Sequence, residues 1–247
     1  MERGDSLQGA VGNKRSGRKQ GEQQETREEI NKAGSEQVSE IRLVERDYKI
    51  MQEIDRWRVC QGRHIKTLVG FDGQRACDRR LRKLIEAGYI KREKILYGVA
   101  GIYRNENKAK QVVQLSGVNQ KIRIEHIKHD IIVIDTAIYF NEKFGVKYNT
   151  IITEIELHRR DGFGKRRHRP DFVYTEDGKK ISCVEIELTL KSKDRFETNI
   201  KNNFLEYEKQ TWVVPSMETK IADMLKDNMT KYTNIEILEL EEIQKNV

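Results

Sequence analysis

The chain has 247 residues, 36% of them hydrophobic, and its 47 basic residues outnumber its 40 acidic ones, which gives a formal net charge of +7. No apolar run approaches the roughly 20 residues needed to span a bilayer, and the N-terminus lacks the apolar core of a signal peptide. We therefore expect a cytoplasmic protein without a membrane segment. The three cysteines form no CxxC or CxxH pair, which argues against a disulfide framework and a thiol-rich metal site. The excess of positive charge favours a polyanionic partner, although a solvated surface explains it equally well.

The first 41 residues are predicted to form a disordered tail. This stretch carries basic and acidic side chains in nearly equal number and almost no large apolar ones. Such a composition buries too little apolar surface to offset the conformational entropy lost on folding. The excess of positive charge therefore belongs to the rest of the chain.

Residues 42–104 are predicted to form a winged helix-turn-helix. Apolar side chains recur at helical spacing over 48–57, a short second helix covers 64–69, and a third covers about 74–87. Glycines flank the third helix, as expected of the turn before it and the C-cap after it. Two strand-like runs, YIKREKIL and GIYR, follow around a glycine-containing turn and predict a β-hairpin.

The third helix and the hairpin concentrate positive charge where a winged helix meets double-stranded DNA. In that motif the third helix lies in or beside a groove, and cations on the helix and on the wing neutralise phosphate. We expect side chains near the start of the helix to reach base edges. A basic solvent face on a protein-binding module is the alternative. The candidate DNA-binding residues of this module are Gln74, Arg75, Arg79, Arg80, Arg82, Lys83, Lys91 and Arg92.

Residues 105–121 are predicted to be a polar linker, and 122–247 to be an α/β domain with a mixed sheet. A long apolar helical pattern over 122–144 is followed by a strand-like run at 148–160 and then by further elements, in the order αβββαβαβ. Helices and strands that alternate around one sheet make a domain of this length large enough for its own core.

Acidic side chains line one face of the strand predicted at 181–191. Alternate positions are apolar, so Glu185 and Glu187 point to the same side, together with Lys191 if the strand extends that far. A hairpin before this strand brings Asp171 back beside Glu185. The sequence therefore predicts that three carboxylates converge.

Converging carboxylates suit a hard divalent cation. Mg²⁺ or Mn²⁺ takes oxygen ligands, lowers the pKa of a bound water and stabilises the charge that develops in phosphodiester cleavage. Asp171 and Glu185 are the candidate metal ligands, and Lys191 is the cation expected to assist at the transition state, with Lys193 in reserve. The candidate catalytic residues are Asp171, Glu185, Glu187 and Lys191.

The RPD motif at 169–171 and the EIE motif at 185–187 resemble those of the PD-(D/E)xK nuclease superfamily, which implies a restriction-endonuclease-like αβββαβ fold over about 122–243. This sequence has Glu187 where that pattern has a lysine. Together with the winged helix, the motifs are similar to those of the replication-relaxation family and of MOBC-type relaxases. That resemblance implies metal-dependent nicking at an origin of transfer, which initiates conjugative mobilisation of a plasmid or integrative element, with accessory transfer proteins as partners.

A basic, glycine-containing run at 158–169 precedes the acidic motif and adds candidate phosphate contacts. These are Lys165, Arg166, Arg167 and Arg169. On the strand predicted just before this run, Glu154, Glu156 and His158 share a face and are assigned surface or supporting roles, with a third metal ligand as the alternative.

Two further choices stay open in the sequence. The nucleophile is either water or a tyrosine of the second domain. His126 and His129 lie one helical turn apart and are assigned to the helix surface or core edge rather than to a metal site. Two alternatives to the nicking enzyme remain. One is a catalytically silent DNA-binding regulator of plasmid replication or transfer, in which Glu187 in place of lysine marks lost activity. The other is a protein-interaction module with a basic surface.

Overall fold

The computed structural model describes residues 41–95, 97–113, 123–162, 168–175, 178, 180–190 and 192–246. Residues 41–247 form one compact unit. The predicted tail lies outside the described residues, except for Ile41, which packs against the core. None of the helices in the described part of the chain combines the length and the apolar character needed to cross a bilayer.

The elements form a mixed α/β chain, as predicted, with one three-stranded and one five-stranded sheet. In chain order they are α1 Glu45–Trp57, β1 Cys60–Gln61, α2 Gly62–Val69, α3 Gln74–Glu86, β2 Ile90–Glu93, β3 Ile102–Asn105, α4 Asn107–Val112, α5 Ile124–Phe144, β4 Ile152–Thr153, α6 Glu154–Asp161, β5 Phe172–Thr175, β6 Ile181–Ile186, α7 Lys193–Glu206, β7 Lys209–Val214, α8 Lys220–Met229, β8 Ile235–Glu239 and α9 Leu240–Lys245.

The three predicted N-terminal helices and the hairpin are present. Strands β2 and β3 pair antiparallel, and β1 adds to the other side of β3, which gives the strand order β1-β3-β2. Apolar side chains at three- and four-residue spacing on α1 point inward, so that Ile50, Met51 and Ile54 are almost fully buried. Helix α4 occupies part of the segment predicted to be a linker.

The larger sheet has the strand order β4-β5-β6-β7-β8. Strands β4, β5 and β6 pair antiparallel, whereas β6, β7 and β8 are parallel and are connected through α7 and α8. Each parallel connection needs a crossover, which these two helices supply. The central strands are buried on both faces.

The two faces of this sheet carry separate apolar clusters. On one face, α5 packs Phe140 against Phe172 and Tyr174 of β5. On the other face, α7 and α8 pack around Trp212, whose ring meets Phe196 edge-on at a centroid distance of 4.9 Å. The three cysteines are buried free thiols: Cys60, Cys77 and Cys183.

Helix α5 joins the N-terminal helices to the large sheet. Its apolar residues belong to the same core cluster as α1, α2 and α3 on one side and β5, β6 and β7 on the other. An arginine from α1 adds polar contacts between these parts. The Arg56 guanidinium donates to the Glu156 carboxylate at 3.1 Å and to the carbonyls of Tyr148 and Ile151. The segments predicted to be two domains thus share one core.

A buried histidine also ties α2 to α5. Nδ1 of His64 accepts a hydrogen bond from the backbone N–H of Gln61 at 3.1 Å, and Nε2 lies 3.0 Å from the Asp135 carboxylate. Arg63 makes a bidentate contact with the same carboxylate, at 2.5 and 2.7 Å. Burial lowers the pKa of His64 despite the neighbouring carboxylate. The neutral imidazole therefore joins the start of α2 to α5.

Arg58 connects α1 to β1 in a tight turn with a positive φ of 67°. The turn is closed by a hydrogen bond from the Val59 N–H to the Trp57 carbonyl, which is the geometry of a strained γ-turn. The Arg58 guanidinium reaches the carboxylates of Asp130, at 3.2 Å, and Glu154, at 3.0 Å.

The strand predicted at 148–160 is wrong except at Ile152–Thr153, because Tyr148–Thr150 forms a 3-10 helix. Only Ile152–Thr153 pairs in the sheet, and Glu154–Asp161 is helical. Thr153 starts this helix with a capping box: its hydroxyl accepts from the Glu156 N–H, and the Glu156 carboxylate accepts from the Thr153 N–H at 2.8 Å. This cap satisfies N–H groups that a continuing strand would have presented to its neighbour.

Candidate functional site

The hairpin of β5 and β6 positions the two predicted metal ligands. Phe172 pairs with Val184 in the antiparallel register. One residue further along this register, Asp171, just before β5, lies next to Glu185. The two carboxylates are close enough for the charge of Asp171 to raise the pKa of Glu185, in addition to the larger effect of burial. The structure therefore brings these two residues together.

Two groups near the end of β6 hold the Asp171 carboxylate. One oxygen, Oδ2, accepts the backbone N–H of Ile186 at 2.7 Å. The other, Oδ1, lies 3.4 Å from Nε2 of His129 on α5. The same imidazole nitrogen lies 3.2 Å from the Ile186 carbonyl oxygen. A nitrogen of His129 thus lies between two oxygens of the acidic motif.

His129 is a cation in this setting. Burial alone would lower its pKa, but the charges and hydrogen bonds of Asp171 and Asp130 outweigh burial and raise the pKa to about 11. The Nδ1 atom lies 3.7 Å from the Asp130 carboxylate. The sequence interpretation had left His129 outside the site because its i,i+3 spacing from His126 is weak evidence on its own.

A second histidine pairs with Glu185. Nε2 of His168 lies 2.5 Å from Oε1 of Glu185, and the Asn203 amide of α7 donates to the same oxygen at 2.9 Å. The carboxylate is buried. The hydrogen bond to Glu185 and the charge of Glu185 outweigh the effect of burial and raise the pKa of His168. His168 directly precedes the RPD motif, and this adjacency was the only local signal of its role.

The carboxylates do not form a ready metal site as they are arranged. Among the described residues, no group of three or more His, Cys, Asp or Glu side chains is placed to hold a metal ion. Asp171 and Glu185 already face nitrogen donors, and His129 and His168 occupy positions beside the oxygens that a divalent cation would need. The residues therefore do not fit Mg²⁺ or Mn²⁺ without rearrangement.

The other predicted catalytic residues lie beyond the end of β6. The strand ends at Ile186 instead of continuing to 191, because the chain bends at 188–189. Glu187 is half-buried, and its backbone N–H donates to the Val213 carbonyl at 3.0 Å. Lys191 lies outside the described residues. Lys193 is exposed in the first turn of α7, 3.8 Å from the Glu197 carboxylate.

The cations of α3 divide into two groups. Arg75, Arg79, Arg82 and Lys83 are exposed and have no acidic partner among the described residues. Arg80 is different, because its Nε donates at 2.6 Å to Asp47, whose carboxylate is fully buried. Gln74 is exposed and donates to the neighbouring Asp78 at 2.7 Å.

The hairpin cations also differ from one another. Lys91 pairs with Glu93 at 2.6 Å and lies 3.6 Å from Glu106, so its charge is largely offset. Arg92 is exposed and its guanidinium lies 5.9 Å from the centroid of the Tyr103 ring. Of these two predicted DNA-binding residues, Arg92 has a positive charge that faces solvent, whereas the charge of Lys91 is paired.

The predicted phosphate contacts before the RPD motif are mostly outside the described residues, as is the case for Lys165, Arg166 and Arg167. Arg169 is described and is buried. Its Nε donates to the Asp161 carboxylate at 2.6 Å and its Nη1 donates to the His168 carbonyl at 2.8 Å. Arg169 therefore holds the start of the motif in place and does not face solvent.

The acidic and basic side chains of α6 serve the packing of this helix. Glu156 binds Arg56, Glu154 binds Arg58, and Arg159 binds Asp55 at 2.9 Å. The helix consequently lies against α1. Glu154 and His158 lie one turn apart on the same side of this helix, with His158 Nε2 3.6 Å from the Glu154 carboxylate, whereas Glu156 points to another side. The sequence interpretation had placed all three on one face of a strand.

No protein-family model, curated protein or solved structure matches this chain.

Proposed function

We propose that residues 45–105 of this chain form a winged helix-turn-helix that binds double-stranded DNA. The element order α1-β1-α2-α3-β2-β3 and the small antiparallel sheet support this interpretation of the fold. Helix α3 then corresponds to the element that meets a groove, and the β2–β3 hairpin corresponds to the wing.

The observation that carries the proposal is the line of exposed cations along α3. Arg75, Arg79 and Arg82 follow one another at four- and three-residue spacing, so they lie on one side of the helix, with Lys83 beside them. None pairs with an acidic side chain within the described residues. A row of unpaired cations on one helical face suits the phosphate backbone, where each contact releases counterions.

Fluorescence anisotropy with a labelled duplex from the gene's own flanking DNA tests the proposal. Affinity is expected to fall steeply with salt, and Arg75→Ala, Arg79→Ala and Arg82→Ala are each expected to reduce the slope of log affinity against log salt by about 1. Lys201→Ala on α7 removes an equally exposed cation and is the matched control, with no expected change. Equal losses in all four variants would point to a nonspecific effect of net charge and contradict the proposal.

A second candidate function is metal-dependent nicking of DNA at an origin of transfer, with accessory transfer proteins as partners. The observation that favours it is the hairpin register, which sets Asp171 beside Glu185. The restriction-endonuclease-like fold remains part of the proposal. In that function Asp171 and Glu185 would hold the metal, which would supply an activated water. His129 and His168 would first have to leave the two carboxylates.

Conversion of supercoiled plasmid to open circles tests this candidate. The plasmid carries the gene's flanking DNA, and reactions contain Mg²⁺, Mn²⁺ or EDTA, with and without the accessory proteins. The candidate is supported if the wild type nicks the plasmid, if EDTA abolishes the nicking and if Asp171→Asn and Glu185→Gln remove it. Asp227→Asn, on the exposed side of α8, is the control variant. Binding of the same DNA without nicking in any reaction favours the silent regulator of replication or transfer.

A further inference from the structure

The tip of the β2–β3 hairpin presents a fully exposed aromatic ring. Tyr97 has a relative exposure of 101%, so its side chain has no contact that hides it from solvent. The turn continues through Gly98, whose φ of +74° reverses the chain. Single exposed apolar residues are ordinary on protein surfaces, and the surroundings of the ring decide whether this one has a function.

The hairpin is firmly anchored on both sides of the exposed ring. Ile95 and Val99 pack against a small apolar cluster that contains Ile127 and Ile131 of α5. Residues two positions before and two positions after Tyr97 are therefore fixed to the long helix of the fold. Apolar contacts therefore support the hairpin on both sides of the ring.

Positive charge lies on the same hairpin as the ring. An open groove of about 530 Å³ runs along the hairpin and is lined by Arg92, Lys94, Gly98, Val99, Ala100 and Gly101. Lys94 is exposed and has no acidic partner in the described part of the chain. A side chain at position 101 would come within 2.8 Å of the Arg92 guanidinium, so the glycine leaves room for that cation. An exposed aromatic ring and two cations on one hairpin match a nucleotide, which has a flat base and a phosphate.

We propose that Tyr97 stacks on an unpaired base of DNA, next to the duplex bound by α3, while Lys94 and Arg92 contact the phosphates of that strand. The inference rests on the proposed DNA-binding function and extends it to the form of DNA that is recognised. In an intact duplex both faces of each base are covered by neighbouring base pairs, so a ring that stacks needs a base that has left the stack. The preferred target is therefore a duplex with a locally opened segment.

Binding to two DNAs of the same sequence tests the proposal. One is fully paired, and the other has a central bubble that contains 2-aminopurine, whose fluorescence is quenched when it stacks. Wild-type protein is expected to bind the bubble more tightly and to change the 2-aminopurine signal. Tyr97→Leu, which keeps an apolar side chain without an aromatic face, is expected to bind the bubble about 5- to 100-fold more weakly and to leave the duplex affinity unchanged.

Two further variants separate stacking from charge. Tyr97→Phe keeps the ring and is expected to retain both the affinity for the bubble and the fluorescence change. Lys94→Ala is expected to weaken binding to both DNAs and to reduce the salt dependence. Thermal unfolding of each variant, expected to match the wild type, excludes misfolding as the cause.

The outcomes distinguish this inference from the function on which it rests. If duplex binding is normal but Tyr97→Leu binds the bubble as tightly as the wild type, the stacking proposal alone is overturned. Equal losses on both DNAs also overturn it, because they assign the ring to a groove contact. If the wild-type chain binds neither DNA even at low salt, the DNA-binding proposal is wrong and the stacking proposal fails with it.

Discussion

Replacement of Arg80 by alanine is expected to destabilise the fold, whereas replacement of its neighbour Arg79 is not. The Arg80 guanidinium makes two hydrogen bonds to Asp47, a carboxylate with 0% exposure that also accepts the Val44 N–H at the start of α1. Removal of the arginine leaves this buried charge without its partner. Losing one member of a buried ion pair costs about 3–5 kcal/mol, and because the Arg80 side chain is 21% exposed, we expect about 2–4 kcal/mol.

Urea unfolding of Arg80→Ala and Arg79→Ala measures this difference. The first is expected to lower the free energy of unfolding by the amount above, which corresponds to about 4–16 °C in the midpoint of thermal unfolding. The second is expected to change it by less than about 0.5 kcal/mol, since Arg79 is exposed. In an Asp47→Asn background, Arg80→Ala is expected to cost at least about 1 kcal/mol less. Equal stabilities of the two single variants would refute the structural role of Arg80.

Three further predictions concern stability. The folded-state pKa of His64 lies below the unfolded value of 6.5, so the unfolded chain binds an extra proton when the pH falls. The free energy of unfolding is therefore expected to decrease as the pH drops below about 6.5. Urea unfolding at several pH values should detect this decrease, and His64→Gln should make it smaller. Arg58→Gly is expected to be more stable than Arg58→Ala by about 1 kcal/mol, because both lose the ion pairs and only glycine relieves the positive φ; the reverse order would contradict the strained turn. Thr153→Ala is expected to cost about 1–2 kcal/mol and to increase amide exchange in 154–161, and protection that does not change would argue against the capping box.

Local patterns in the sequence predicted most of the elements. Helices α1, α2 and α3, the hairpin and the β5–β6 pairing follow from apolar periodicity and turn residues, which act over a few positions. The run from Thr153 to Leu157 misled the prediction, since its acidic and apolar residues alternate as in a strand. The T-x-x-E spacing of 153–156 was the local signal for a helix start, and the capping box makes it decisive.

The partners of the charged residues were not predictable in the same way. Arg80 and Arg169 looked like DNA contacts because they lie in basic runs, but each is tied to a carboxylate that only the fold brings near. His129 meets Asp171 because α5 packs across the end of the sheet, a contact between residues far apart in sequence. A basic run therefore predicts where positive charge lies, and only the tertiary structure separates cations that face solvent from cations used inside the fold.

The arrangement of the acidic motif bears directly on the choice between a nuclease and a silent regulator. Asp171 and Glu185 each have a histidine partner, so both carboxylates are already contacted without a metal. A divalent cation would have to compete with His129 for Asp171 and for the Ile186 carbonyl, and with His168 for Glu185. Competition of this kind weakens cation binding to the free protein, whereas DNA phosphates beside the motif would add ligands and negative charge in favour of the cation. A nicking enzyme built on this site is therefore expected to bind its metal together with DNA, and a chain that binds DNA while both histidines stay paired is expected to act by binding alone.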